Sequence, residues 1–220
     1  MLVIGVPVGF AAAALTTAAR DIDLTSPSSA GSPSPDGSQI RPDVEVEVPD
    51  LDGLDGTDAE VGAILVDINR SEEQMLATQQ RFADVLADAA DQAPAPGDIE
   101  GLLDQIGAAA GEGQRELQAI RRDLTDAAAS DRDVRDLRDV YLTHLDSWVR
   151  YFVAVEADPT LFASGADEAF TLSINTTGDA FARVVREELP DDLDAEVRAF
   201  ADQIVDRGFP ERALSDDDTV

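Results

Sequence analysis

Residues 98–127 read DIEGLLDQIGAAAGEGQRELQAIRRDLTDA, and the fold is decided by this stretch. Ile99, Leu103, Ile106, Ala110, Gly113, Leu117, Ile120, Leu124 and Ala127 recur at alternating steps of four and three. A helix with that period keeps one side turned toward a neighbour, as in a left-handed bundle. Glycine inside a helix costs about 1 kcal/mol relative to alanine. The small run Ala109, Ala110, Gly111 and Gly113 therefore predicts close approach by a facing backbone, with a kink or a small polar cavity as the other readings.

Upstream, Thr57 and Glu60 match the T-x-x-E capping box, which predicts a helix from there to about Gln92. Its inner positions are Val61, Leu65, Ile68, Glu72, Met75, Gln79, Phe82, Leu86 and Ala89. Pro94-Ala95-Pro96-Gly97 breaks it, and the short connection predicts an antiparallel hairpin. That hairpin would set Glu72 and Gln79 opposite the Gly-Ala run.

Downstream, Ser130 and Asp133 predict the cap of a third helix reaching about Glu156, with Val134, Leu137, Tyr141, Leu145, Trp148, Phe152 and Val155 inward. Asp158-Pro159 ends it, with a short turn carrying Leu161 and Phe162. A fourth helix is expected from about Ala166 to Glu188, burying Phe170, Ile174, Phe181 and Val184 or Val185. Pro190 is expected to open a fifth, with Leu193, Val197, Phe200 and Ile204 in step, closed by Gly208 and Pro210. The expected fold is all-α: an antiparallel four- to five-helix bundle over residues 57–209, preceded by an N-terminal apolar helix and a disordered linker, and followed by an acidic tail, 210–220.

The N-terminus supplies the expected location. Met1 to Ala19 carry no charged side chain and are mostly Leu, Val, Ile, Phe and Ala. At about 1.5 Å per residue such a helix nearly crosses a hydrocarbon core of about 30 Å. Thr17-Ala18-Ala19 offers small residues suited to signal cleavage. Residues 1–20 are thus expected to be a signal peptide or a single membrane anchor. The linker, 21–56, is rich in Ser, Pro, Gly and Asp, with too little apolar surface to repay ordering. Within it, Val44-Glu45-Val46-Glu47-Val48 alternates like a strand but has no matching run to pair with, so at most it lies extended on the helices.

Charge excludes one class of partner. The 220 residues hold 46 acidic and 16 basic side chains, a formal charge of −30, and every basic residue is Arg. Nucleic acid would be repelled, and no basic patch offsets this. Codon bias in a GC-rich genome or adaptation to salt accounts for the acidity more simply than a cation site does. Aromatics are only 5% of the chain, so the core must rest on aliphatic side chains packed at short range.

Motifs for chemistry are missing from the sequence. Cysteine and lysine are absent, and His144 is the one histidine, too few for a histidine zinc site. The residue three before His144 is Tyr141, where a di-iron bundle would need Glu. No G-x-S-x-G elbow or lysine-bearing phosphate loop occurs. Counting from Asp50, positions five and six are Leu54 and Asp55, where a calcium loop wants an oxygen ligand and Gly. Asn175-Thr176-Thr177 matches a glycosylation sequon but falls inside an expected helix. The expectation is a non-enzyme without metal or cofactor. It would sit in the cell envelope, outside the cytoplasm, anchored or secreted, contacting the membrane through its N-terminus and serving a structural or protein-interaction role. The alternative is a ligand-binding or sensory ectodomain that uses Tyr141, His144, Trp148, Tyr151 and Phe152, aromatic rings with polar tips on neighbouring turns.

Overall fold

The computed structural model describes residues 46–92, 98–164 and 168–209. The expected N-terminal apolar helix, the linker up to residue 45 and the acidic tail lie outside the described residues. Among those described, all regular structure is helical: α1 (Gly56–Gln92), α2 (Asp98–Asp126), α3 (Arg132–Ala157), α4 (Thr160–Ser164), α5 (Glu168–Glu187) and α6 (Ala195–Gly208). None of these helices is long and apolar enough to cross a membrane.

Side-chain contacts give the directions in which neighbouring helices run. Along α1 the partners on α2 are Asp123 for Arg70, Glu116 for Gln74 and Glu112 for Arg81, so one number rises as the other falls. Between α2 and α3, Arg121 meets Asp146 while Gly111 faces Glu156. Between α3 and α5, His144 meets Thr177, Ser147 meets Ser173 and Tyr151 meets Phe170. Each of these three pairs is antiparallel. α6 rests on α1 and α5.

The α2 glycines allow these approaches in two different ways. A Cβ at Gly113 would lie 2.6 Å from Thr78 Oγ1, 2.9 Å from its Cγ2 and 3.3 Å from the Phe152 ring. Thr78 is β-branched and its hydroxyl donates to the Gln74 carbonyl at 3.0 Å, so it has little room to yield. At Gly111 the obstacle is only the carboxylate end of the exposed Glu156. Gly113→Ala is therefore expected to destabilise by about 1–3 kcal/mol through overpacking. Gly111→Ala should gain up to about 1 kcal/mol of helix propensity. Urea titrations of the two variants give the comparison, and equal signs would contradict this account of the packing.

Four local expectations are corrected. Glu60 does not close a capping box with Thr57: its carboxylate accepts from the Ser130 N–H (2.7 Å) and hydroxyl (3.0 Å), fastening α1 to the α2–α3 connection. With Ser130 so engaged, Asp131 caps α3 by accepting from the Asp133 N–H. Pro190 does not open the last helix. Its carbonyl closes a turn with the Leu193 N–H, and Asp194 caps α6 by accepting from Glu196 and Val197. On α2, Leu102 rather than Leu103 is buried.

The segment before α1 is irregular, with a turn at residues 51–54, and lies on the helices. Val46 packs against the core, the Glu47 N–H donates to Gln203 on α6 at 2.9 Å, and Leu51 covers Gly62. Gly53 and Gly56, at φ +104° and +54°, turn the chain from this strap into α1 in a backbone region that side chains disfavour.

Candidate functional site

The inward stripe of α3 brings the expected aromatic residues together. Tyr141, His144, Trp148, Tyr151 and Phe152 are each at most 6% exposed, so none is presented to solvent. They divide into an apolar end and a polar end. At the apolar end, the Phe152 ring lies 5.6 Å from Trp148, 5.7 Å from Tyr151 and 6.2 Å from Phe82, and Phe82 in turn packs 4.9 Å from Phe162. At the polar end, Tyr141 lies 4.9 Å from Phe181, and His144 lies 5.1 Å from Phe209.

The polar end recruits side chains from α1, α5 and α6. The Tyr141 hydroxyl donates to Glu72 Oε1 at 2.7 Å and also contacts the Ser71 hydroxyl, which is 2.8 Å from the Ile68 carbonyl. Trp148 Nε1–H donates to His144 Nε2 at 3.2 Å. That nitrogen must therefore carry a lone pair, and the imidazole proton sits on Nδ1, 3.1 Å from Thr177 Oγ1. On α6, Arg207 donates to Asn69 Oδ1 at 2.7 Å and lies 3.7 Å from Glu73 Oε1.

Protonation follows from burial. Burial holds His144 neutral, down to about 3, against a smaller opposing effect of the Ile174 carbonyl. The 3.8 Å between His144 Nε2 and Glu72 Oε1 is thus not an ion pair. Burial pushes Glu72 up to about 7, with the Tyr141 hydrogen bond and then the Arg207 charge pulling the other way. Burial, followed by the Glu72 charge, places Tyr141 well above its ordinary range, so its hydroxyl remains a donor. The arrangement raises the proton affinity of a buried carboxyl at the junction of α1, α3 and α6.

Sequence reasoning placed Glu72 on the inner face of α1 but gave it the wrong neighbours. It faces Tyr141, His144 and Gly208 rather than the α2 glycines, which meet Thr78 and Glu156 instead. Ser71, Asn69 and Arg207 were missed. The available signal was Glu72 itself, an acid in an apolar register that needs a donor from another element. Arg207, near a helix end, reads in isolation as a partner of the helix dipole.

Among the described residues, no group of three or more His, Asp or Glu side chains could hold a metal ion. Comparison with protein-family models, curated proteins and solved structures found no match to this chain.

Proposed function

We propose that this chain is an envelope protein, anchored by its N-terminus or secreted, whose antiparallel helical bundle serves as a structural or protein-interaction module outside the cytoplasm. The observation that carries the reading is the order of the chain: nineteen residues without a charged side chain, then a Ser/Pro-rich spacer, then helices. An apolar segment of that length partitions into a bilayer, and a spacer too polar to pack keeps the helices away from it. The bundle is supported by opposite directions of successive long helices and by one shared core. Its acidic exterior suits a basic protein partner and disfavours anionic lipid.

The ligand-binding alternative has less support, because the aromatic face it needs is covered by α1, α5 and Phe209. A fusion of residues 1–45 to a reporter enzyme that is active only after export tests the main reading. Activity of the fusion is expected, with the full chain found in membranes or in the exported fraction. An inactive fusion together with a wholly cytosolic full chain would overturn it.

A further inference from the structure

The two ends of α6 are held differently. At its start the Asp194 N–H donates to Asp58 Oδ1 at 3.0 Å. One turn on, the Arg198 guanidinium donates to the carbonyls of Val185, Leu189 and Pro190, which closes the C-terminal end of α5. At its finish, the helix is seated on the buried carboxyl of α1. A Cβ on Gly208 would lie 3.1 Å from Glu72 Oε2, and Phe209 then turns its ring onto His144 and Phe181.

The groups facing Glu72 are Ser71 and Glu73 beside it on α1, Tyr141 and His144 on α3, and Arg207 on α6. Of these only Tyr141 donates a hydrogen bond to it. The His144 lone pair that points this way is already taken by Trp148, and the Arg207 guanidinium is engaged with Asn69 and Glu73. Arg207 Nε–H finds no acceptor among the described residues. An ionised Glu72 would thus be a buried charge with one hydrogen bond, a state that favours exposure to water. The short route to water is the seam between α1 and the end of α6, since the neighbouring Glu73 side chain is already 58% exposed there.

We propose that the last turn of α6, residues 204–209, is a latch that stays seated while Glu72 keeps its proton and lifts from α1 when Glu72 ionises. The Arg198 end acts as the hinge. Burial sets the proton loss near neutrality, so the latch responds within an ordinary pH range. This inference does not depend on where the protein resides.

Amide hydrogen exchange on the full chain between pH 6 and 8, corrected for the intrinsic rate, tests it. Protection at residues 204–209, with the Phe209 amide as the reference probe, is expected to fall about tenfold or more, while α2 and α3 keep theirs. In Glu72→Gln, which keeps an acceptor for Tyr141, the pH dependence should vanish. Unchanged protection at 204–209 in the wild type overturns the proposal, as does an equal loss across all helices or the same fall in Glu72→Gln. If that variant fails to fold, the wild-type contrast between α6 and α2 decides alone.

Discussion

Phe152→Ala is expected to remove about 3–5 kcal/mol of stability, the range for truncating a buried phenylalanine. The ring has no exposure and stands where α1, α2 and α3 meet, against Phe82, Trp148 and Tyr151 and facing Gly113, where a Cβ would lie 3.3 Å from it. Collapse into the void is hindered, because Thr78 already fills the approach at Gly113 and a cavity would remain. A domain of this kind has about 5–15 kcal/mol in all, so the loss would be a large share. Denaturant titration should show a lower midpoint with an unchanged slope. Val153→Ala, one residue along on the outward side, should stay within about 0.5 kcal/mol. A loss below 1 kcal/mol for Phe152→Ala would contradict the packing described for the apolar end.

The second large effect is in the pH dependence of stability, where Glu72→Gln and His144→Gln should act in opposite senses. Folded Glu72 keeps its proton to about 7, whereas in the unfolded chain it releases it near 4.5. Its contribution is complete below 4.5 and is lost as pH rises toward 7, a change of roughly 3 kcal/mol. Folded His144 takes a proton only near 3, against 6.5 when unfolded. Its contribution is complete above 6.5 and is lost as pH falls, by roughly 5 kcal/mol over the full range.

Between 4.5 and 6.5 these two slopes cancel. The pair holds one proton in either state, on Glu72 when folded and on His144 when unfolded. Relative to wild type, Glu72→Gln should therefore gain stability as pH rises through that window, and His144→Gln should lose it. Measuring both variants by chemical denaturation at pH 5, 6 and 7 gives the difference curves. Two flat curves would mean that the native pair is charged, against the tautomer that Trp148 imposes.

The helices were legible because burial on one face writes a period into the chain. Every inward residue of the α3 stripe, from Val134 to Val155, is buried as its spacing predicts. Helix starts were less legible, since a capping side chain can be claimed by a distant partner at similar cost. Glu60 prefers Ser130, seventy residues away, to its own helix end. The polar junction was half legible. Tyr141, His144 and Trp148 share a stripe and could be grouped by spacing alone. Glu72 joins them through a contact between α1 and α3, and Arg207 and Gly208 through contacts between α1 and α6, which no local pattern encodes. Burial, which turns the aromatic face from an exposed surface into an interior, also depends on what α5 and Phe209 place over it.

Residues 46–54 lie against α6 and the first turns of α1, where the Glu47 N–H donates to Gln203 and Leu51 covers Gly62. From there α1 runs for 37 residues, about 55 Å at 1.5 Å per residue, before it ends. A pull on the chain ahead of Val46 would therefore load the Glu47–Gln203 contact on α6 before it reaches α1.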